Sequence, residues 1–297
     1  MLKKDNLVFK ILLLSLFFNI LMPADNDAPF GDVLLHHVTN DQSKVYVPIE
    51  IGGIDLSITK HVILLWAISG VLIALTLLAT KRYRNNKNAL PSKFSSLFEI
   101  LIDFIKKEMV IPNIGKNYAT RWTPLIATFF IFILFSNFLG LIPFLEYLPG
   151  GSGTITGNFA VTAALAVITF VAIIIAGSMK HGFIGHWKNM IPGGLPAPVL
   201  LILIPVEIMG MFIKPLALLL RLGANMTAGH IGMVAIFGLP ILIGASMGEG
   251  IGFGVGFVAV ILNTALYFLE MIVSLVQAYV FALLSSVFIG MAIHAEH

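Results

Sequence analysis

The sequence predicts an all-α polytopic membrane protein with five membrane helices and one amphipathic interfacial helix. Of the 297 residues, 58% are apolar and only 11% are charged, whereas soluble domains contain roughly 25% charged residues. Several uncharged stretches also exceed the ~18 residues that identify a candidate membrane helix. Together these observations exclude a soluble globule and most nucleic-acid-binding proteins. The sequence has no cysteine, so it offers no disulfide framework, thiolate metal site or cysteine nucleophile.

Residues 1–24 have the pattern of a secretory signal peptide. Three lysines precede the short apolar stretch Ile11–Met22, and Ala24 provides a small residue before an acidic segment. This order is typical of a cleavable signal, so we expect cleavage after Ala24. The alternative is an uncleaved anchor, although the apolar stretch is shorter than the ~20 residues that a span needs. Under either interpretation, residues 25–60 form an exported N-terminal segment.

The first span is predicted at Val62–Thr80, which carries no charge. A basic cluster follows it directly, and the positive-inside rule places this cluster on the cytoplasmic side. The cluster comprises Lys81, Arg82, Arg84, Lys87 and Lys93. The first span therefore runs from the outside to the inside.

Residues 92–111 show a helical pattern of a different kind. Apolar residues recur at intervals of three and four positions, with charged residues between them. The apolar positions are Phe94, Leu97, Phe98, Leu101, Ile102, Ile105 and Met109. This spacing predicts an amphipathic helix. Its place between two spans favours a helix that lies in the cytoplasmic interface over a helix of a soluble core.

The second and third spans are separated by a turn rich in glycine. An uncharged stretch follows Arg121 and extends to Leu145, and Pro149–Gly153 is expected to form an outer turn. The third span returns over residues 154–179 and ends at Lys180, which restores the cytoplasmic side. Every short basic loop up to this point therefore lies on one face of the bilayer.

Two further hydrophobic segments occupy residues 196–293, and we expect them to form an antiparallel hairpin. The glycine-rich stretch Gly238–Gly256 is expected to separate the two segments. The hydrophilic tail His294–His297 then lies inside. Because neither a fixed-period repeat nor a long polar linker divides the membrane portion, we expect residues 61–297 to form one domain.

Ionisable residues at membrane depth are concentrated in these last two segments. On insertion scales each such group costs roughly 2.5–3.5 kcal/mol, so it is usually retained at an ion pathway or a paired site. A structural buried ion pair is the alternative, but one pair does not account for all of these groups. The polar set consists of Glu207, Lys214, Arg221, Asn225, His230, Asn263, Glu270 and Gln277.

Arg221 lies within a stripe of small and polar residues on one face of its helix. Seven other positions fall within about 60° of it on a helix of 3.6 residues per turn. They are Glu207, Gly210, Lys214, Ala217, Ala224, Asn225 and Ala228. Small residues let another helix approach closely, and ordinary helix packing is one interpretation. The arginine in the middle of the stripe indicates instead a partner that presents a negative group there.

The last helix carries a polar stripe of its own, formed by Asn263, Glu270, Ser274 and Gln277. In an antiparallel hairpin Arg221 lies level with Gln277, and His230 lies level with Glu270. His230 follows Arg221 by nine positions, which places it about 180° around an ideal helix. Either nearby glycines distort the helix, or the histidine faces the hairpin partner while the arginine faces a third body. We favour the second arrangement.

The run from Lys214 to His230, KPLALLLRLGANMTAGH, closely resembles the signature of subunit a of the F-type ATP synthase, the stator half of its rotary proton motor. Further similarity comes from Ser136–Pro143, from the spacing of Glu270 and Gln277, and from His36–Val38. The resemblance covers nearly all of the chain after the signal peptide. It implies that the last two helices are a steeply tilted hairpin against the ring of c subunits.

This resemblance also implies roles for individual residues. Arg221 is implied to be the essential arginine that faces the c-ring, with Asn225 and Gln277 as its polar neighbours. The groups of the outer half-channel are implied to be His230 and Glu270. The inner half-channel is implied to contain Glu207, and the supporting residues are Lys214, Asn263 and Ser274.

The implied partners are the c-ring with its carboxylates, the b-subunit peripheral stalk, the F1 catalytic sector and the lipid bilayer, without nucleic acid. The chain itself is implied to be a non-catalytic subunit without a cofactor or metal. The implied location is a bacterial inner membrane, with the mature N-terminus outside and the C-terminus in the cytoplasm.

Two other functional classes compete with this interpretation. A secondary transporter or channel would use Arg221 to bind a small anion, and it would be expected to contain inverted repeats, which the sequence lacks. A membrane metalloenzyme would need clustered ligands. The candidates His181, His186, His230 and His294 lack ligand spacing, and the first two are interpreted as loop residues.

Overall fold

The computed structural model describes residues 47–48, 50–51, 54–55, 57–85, 90–142, 155–189 and 197–294. The predicted signal peptide, the His36–Val38 segment, the Pro149–Gly153 turn and the last three residues lie outside this part of the chain, as does most of the predicted exported segment. The described piece of that segment is a short hairpin. Its strands β1 (Glu50–Ile51) and β2 (Ile54–Asp55) pair antiparallel, with Glu50 opposite Asp55.

The first span and the amphipathic helix are joined by side-chain contacts. Helix α1 covers Lys60–Asn85, and α2 covers Lys93–Phe104. Ser92 caps α2, because its hydroxyl accepts a hydrogen bond from the Ser95 amide at 3.2 Å. The Ser95 hydroxyl in turn donates to the Ala79 carbonyl of α1 at 2.8 Å. Helix α2 thus lies within residues 92–111, where the amphipathic helix was predicted, and its place in the membrane interface stays a prediction.

A π-helical turn, Ile105–Val110, interrupts this amphipathic helix before the short helix α3, Ile111–Ile114. Two side chains donate hydrogen bonds to the Met109 carbonyl within that turn. The Ser286 hydroxyl donates to it at 2.6 Å, and the Asn113 amide donates to it at 2.7 Å. Side chains that insert into the backbone ladder are a recognised cause of such irregular turns.

The remaining helices form the bulk of the membrane domain. They are α4 (Lys116–Gly140), the 3₁₀ segment Ile155–Gly157, α5 (Phe159–His181), α6 (Phe183–Asn189), α7 (Ala197–Met247) and α8 (Glu249–Ile293). Within the described residues, five helices are long and apolar enough to cross a membrane, namely α1, α4, α5, α7 and α8. The predicted all-α polytopic class is therefore confirmed.

The last two segments are separated within the glycine-rich stretch Gly238–Gly256 as expected, but at a single residue rather than along the whole stretch. The stretch is helical except at Gly248, whose φ of +99° makes the turn between α7 and α8. The glycines on either side serve close packing, because a Cβ atom on Gly252 would lie 2.7 Å from the Cα of Gly244. Glycine here permits two helices to approach each other, so its presence did not indicate a loop.

The core lies among α4, α5, α7, α8 and the π-helical turn. The rings of Phe129 in α4 and Phe281 in α8 meet edge to face at 5.5 Å. The largest fully buried side chains include Ile105, Met109, Ile114, Ile126, Ile133, Leu218, Leu222, Met226, Phe281 and Ile289. In contrast, α1 buries only Ile68 and Ala79 among its described apolar side chains, and it exposes large ones such as Trp66 and Leu78. The four packed helices hold the polar groups of the last two segments in fixed positions.

Candidate functional site

Arg221 lies on an exposed face of α7. Its side chain is exposed, and it has no hydrogen bond or ion pair with any described residue. The nearest members of the predicted small-residue stripe are exposed as well, namely Ala217, Ala224, Asn225 and Ala228. The guanidinium therefore stands unpaired on a smooth surface that another helix can approach closely.

The stripe is less exposed toward the N-terminal half of α7. Glu207, Gly210 and Lys214 are half-buried. The Lys214 ammonium lies 5.9 Å from the centre of the Phe288 ring in α8, which is a cation–π contact. Glu207 makes no ion pair within the described parts of the chain. Glu207 and Lys214 therefore form no ion pair with each other.

The polar stripe of α8 is buried, unlike that of α7. Asn263, Glu270, Ser274 and Gln277 are each at most 8% exposed. The Asn263 amide donates to the Met233 carbonyl of α7 at 3.0 Å. Polar groups that are this deeply buried need partners, so this face of α8 is an internal polar surface of the protein.

Contacts between α7 and α8 have the order of an antiparallel pair. Starting from the Gly248 turn, Gly244 lies against Gly252, Met233 against Asn263, Gly229 against Glu270 and Lys214 against Phe288. Interpolation along these contacts places Arg221 at the depth of Gln277 and His230 at the depth of Glu270. This is the arrangement expected from the sequence.

The Glu270 carboxylate lies directly over Gly229. A Cβ atom on Gly229 would overlap the carboxylate carbon and both of its oxygens. Helix α7 continues without a break through Gly223, Gly229 and Gly232. The arginine and the histidine occupy different faces of one continuous helix.

His230 and Glu270 lie at a similar depth but do not bond to each other. No hydrogen bond or ion pair joins them, and the buried His230 Nε2 and Glu270 Oε1 both lack a partner among the described residues. Four more buried oxygens among the described residues share this condition, on Ser136, Ser178, Asn263 and Ser274. Leaving a buried polar atom without a hydrogen bond costs about 1–3 kcal/mol of folding free energy. We therefore expect water molecules to bond to this set of atoms.

Sequence reasoning missed several residues that shape this region. The sequence indicated Gly229 only as a possible source of helix distortion. It predicted no role for the side chains of Asn137 and Thr156. The Asn137 amide donates to the Ser274 carbonyl at 3.2 Å, and the Thr156 hydroxyl donates to Asn137. The motif around Asn137 was the available signal, but its spacing alone did not reveal which helix it contacts.

Two of the histidines considered as metal ligands contact the ends of helices. His181 is the last residue of α5 rather than part of a loop, and its ring lies 3.1 Å from the Ile293 carbonyl. His294 follows α8, and its ring lies 3.1 Å from the Ile114 carbonyl. No cluster of three or more metal-binding side chains occurs in the described ranges.

Comparison with known proteins gives a consistent result. The family described as "ATP synthase A chain" matches residues 62–290. A protein named ATP synthase subunit a from Chloroherpeton thalassium is 37% identical over 273 residues, covering 89% of this chain and 77% of the relative. The protein of the same name from Myxococcus xanthus is 40% identical over 246 residues, covering 83% and 76% of the two chains.

Proposed function

This chain belongs to the ATP synthase A chain family, and from that premise we propose that it is the proton-translocating stator subunit of the membrane sector. In this role it lies against a rotating ring of c subunits, each of which carries a carboxyl group. The single observation that carries the proposal is the exposed guanidinium of Arg221 on the small-residue stripe of α7, which pairs with no residue in the described part of the chain.

A charge at membrane depth without a partner is costly, by roughly 2.5–3.5 kcal/mol on insertion scales. Arginine side chains keep their proton in proteins, so this cost is not avoided by becoming neutral. A partner that presents a carboxylate to Arg221 removes the penalty. The exposed alanines of the stripe let such a partner come close.

The lengths of α7 and α8 suit a surface that follows a ring. The apolar part of α7, Ile202–Met247, has 46 residues and is therefore about 69 Å long. The hydrocarbon core is only about 30 Å thick. A straight helix of this length fits inside the core only if it lies more than about 60° from the bilayer normal. Such a tilt would carry the stripe along the ring rather than across the membrane.

The outer half-channel is proposed to run through the unsatisfied polar atoms between α7 and α8. His230, Asn263, Glu270 and Ser274 supply these atoms. A proton that enters from outside would pass along water and these groups to a carboxylate of the ring. Once protonated, that carboxyl group is neutral and can turn into the lipid.

The inner half-channel is proposed to lie on the other side of Arg221, near Glu207 and Lys214. After nearly a full turn, a ring carboxyl group would release its proton there and be attracted to the guanidinium. Arg221 also separates the two half-channels and so prevents a direct proton leak. A charge that crosses 100 mV releases about 2.3 kcal/mol, which biases each step of rotation.

The remaining assignments follow from the same role. We propose that the chain performs no ATP chemistry itself and works with a b-subunit peripheral stalk and the F1 catalytic sector. The positive-inside rule supports a mature N-terminus outside and a C-terminus in the cytoplasm of a bacterial inner membrane. An anion transporter is not favoured, because the relatives are named ATP synthase subunit a.

The proposal is tested by isolating the chain with its partners in mild detergent. We expect an oligomer of small two-helix subunits to copurify with it. Vesicles that contain this membrane sector should conduct protons when a potential is applied. A chain that purifies without such an oligomer, or a membrane sector that conducts no protons, would contradict the proposal.

A further inference from the structure

A series of polar contacts joins α7 to α8 by way of the 3₁₀ segment. The Thr227 hydroxyl of α7 lies 3.1 Å from the Gly157 carbonyl. Next to Gly157, the Thr156 hydroxyl donates to the Asn137 Oδ1 atom of α4. The Asn137 amide then donates to the Ser274 carbonyl of α8 at 3.2 Å. We call these five residues the polar bracket.

The bracket is buried where it joins α4 to α8. Asn137, Thr156 and Ser274 are completely inaccessible to solvent. Each of the contacts above links two different elements, and the Thr227 hydroxyl also donates to the Gly223 carbonyl of its own helix at 2.8 Å. Other hydroxyl groups bond within their own helix alone, as Thr128 does to the Pro124 carbonyl at 2.7 Å. Buried hydrogen bonds between elements fix how those elements sit against each other.

The polar bracket contacts both α7 and α8 close to the proposed proton-carrying residues. Ser274 follows Glu270 by four residues and precedes Gln277 by three, which are distances of about 6 Å and 4.5 Å along α8. On α7, Thr227 lies six residues beyond Arg221, or about 9 Å along the helix. A shift at either contact point would therefore move the proton-carrying groups themselves.

We propose that Asn137 and Thr156 are positioning residues for proton transfer. The inference rests on the proposed function, and it concerns residues that carry no proton in that scheme. By holding Ser274 of α8 and the segment that contacts Thr227 of α7, the bracket sets the spacing and rotation of the two helices. It thereby keeps the Glu270 carboxylate aligned with the path from the outside to the ring.

The test uses a pair of substitutions at Thr156. Thr156→Val keeps the shape of the side chain but removes the hydroxyl, which leaves the buried Asn137 Oδ1 without its donor. Thr156→Ser keeps the hydroxyl. We expect passive proton flux per assembled membrane sector to fall about tenfold in Thr156→Val, and to stay within about twofold of normal in Thr156→Ser.

The matched control is Thr128→Val on α4. It makes the same chemical change at an exposed hydroxyl that bonds only within its own helix, so flux should be unchanged. Flux is divided by the amount of assembled complex, because a purely structural role would lower assembly and leave the flux per complex normal. Rescue by serine is the second readout that a general packing defect would not give.

The outcomes separate this inference from the proposed function. If the unaltered membrane sector conducts no protons, the proposed function fails. If it conducts and Thr156→Val conducts equally well per complex, the positioning role of the bracket is wrong. Should Thr156→Val fail to assemble, Thr227→Val decides in its place, since it loosens the bracket at its less buried end. Normal flux per complex in that variant would likewise overturn the inference.

Discussion

The carboxylate of Glu270 in α8 lies directly over Gly229 in α7, where only a residue without a side chain leaves room for it. This contact fixes where an acidic group meets the helix that also carries Arg221 and His230. The glycine is therefore part of the geometry of the site even though it has no chemistry of its own. Its replacement should affect function more than stability.

The first prediction concerns Gly229→Ala. The new methyl group would displace the Glu270 carboxylate, so we expect ATP-driven proton pumping by the assembled complex to fall about tenfold or more. Helix propensity acts in the opposite direction, because alanine in a helix is favoured over glycine by roughly 0.5–1 kcal/mol. A loss of pumping would therefore not reflect a weaker helix.

Gly232→Ala is the control for this prediction. A Cβ atom at Gly232 meets no atom of the described residues within 4 Å, and the site lies on the same helix, three positions further along. We expect this variant to pump normally. Equal pumping by the two variants would show that the contact between Gly229 and Glu270 has no functional importance.

The second prediction concerns Arg221. Arg221→Ala should abolish proton-driven ATP synthesis, because the ring carboxylate loses its fixed counter-charge and the two half-channels lose their separation. Arg221→Lys should also be severely impaired, since a desolvated ammonium can lose its proton and lacks the planar fork of a guanidinium. Assembly should stay largely intact in both variants, because the side chain has no partner among the described residues.

These variants are measured by ATP synthesis in membrane vesicles and by the amount of complex recovered after purification. Normal synthesis by Arg221→Ala would remove the role assigned to the arginine. A loss of complex in proportion to the loss of synthesis would instead assign Arg221 a structural role.

The features that sequence reasoning captured are those that lie within one helix. The stripe around Arg221 follows from the 3.6-residue repeat alone, and the exposure of that face agrees with a surface for a partner. The depth of His230 relative to Glu270 followed from the geometry of a hairpin. Both inferences need only the chain order and the regular rise of a helix.

The features that it missed depend on which side chains meet between helices. Nothing in the local sequence states that Asn137 reaches the Ser274 carbonyl, or that Gly229 makes room for a carboxylate. The extent of the turn within Gly238–Gly256 was overestimated for a related reason. Glycine disfavours an isolated helix, yet here it allows the backbones of α7 and α8 to approach, and that benefit appears only when both helices are present.

The third prediction concerns the two ionisable groups of the outer half-channel. His230→Ala and Glu270→Gln should each slow proton entry from the outside by at least about tenfold, because a positioned acid or base is lost. Their effect on assembly should be smaller, since the buried His230 Nε2 and Glu270 Oε1 have no partner in the described part of the protein.

Proton uptake by vesicles with the outer face exposed to a proton pulse measures this step. Thr264→Val is the control on α8, because its exposed hydroxyl bonds only to the Val260 carbonyl of the same helix, at 2.7 Å. A double variant that lacks both His230 and Glu270 and still conducts at the full rate would show that protons take another route.

The fourth prediction concerns the end of α8 that packs against the π-helical turn and α3. A Cβ atom on Gly290 would overlap the Asn113 carbonyl oxygen, which belongs to backbone and cannot move aside as a flexible side chain can. Gly290→Ala should therefore destabilise this contact by about 1–3 kcal/mol. We expect less assembled complex and a lower thermal unfolding midpoint, with normal proton flux in the complexes that do form.

Gly254→Ala provides the comparison for this effect, because a Cβ atom there meets no described atom within 4 Å and the residue lies on the same helix. It should leave the unfolding midpoint unchanged or slightly raised, as expected for alanine in place of a helical glycine. The contrast with Gly229→Ala is then diagnostic, since Gly229 is expected to affect flux and Gly290 to affect stability. If Gly290→Ala lowered flux per complex while its unfolding midpoint stayed normal, this end of α8 would belong to the proton path rather than to its support.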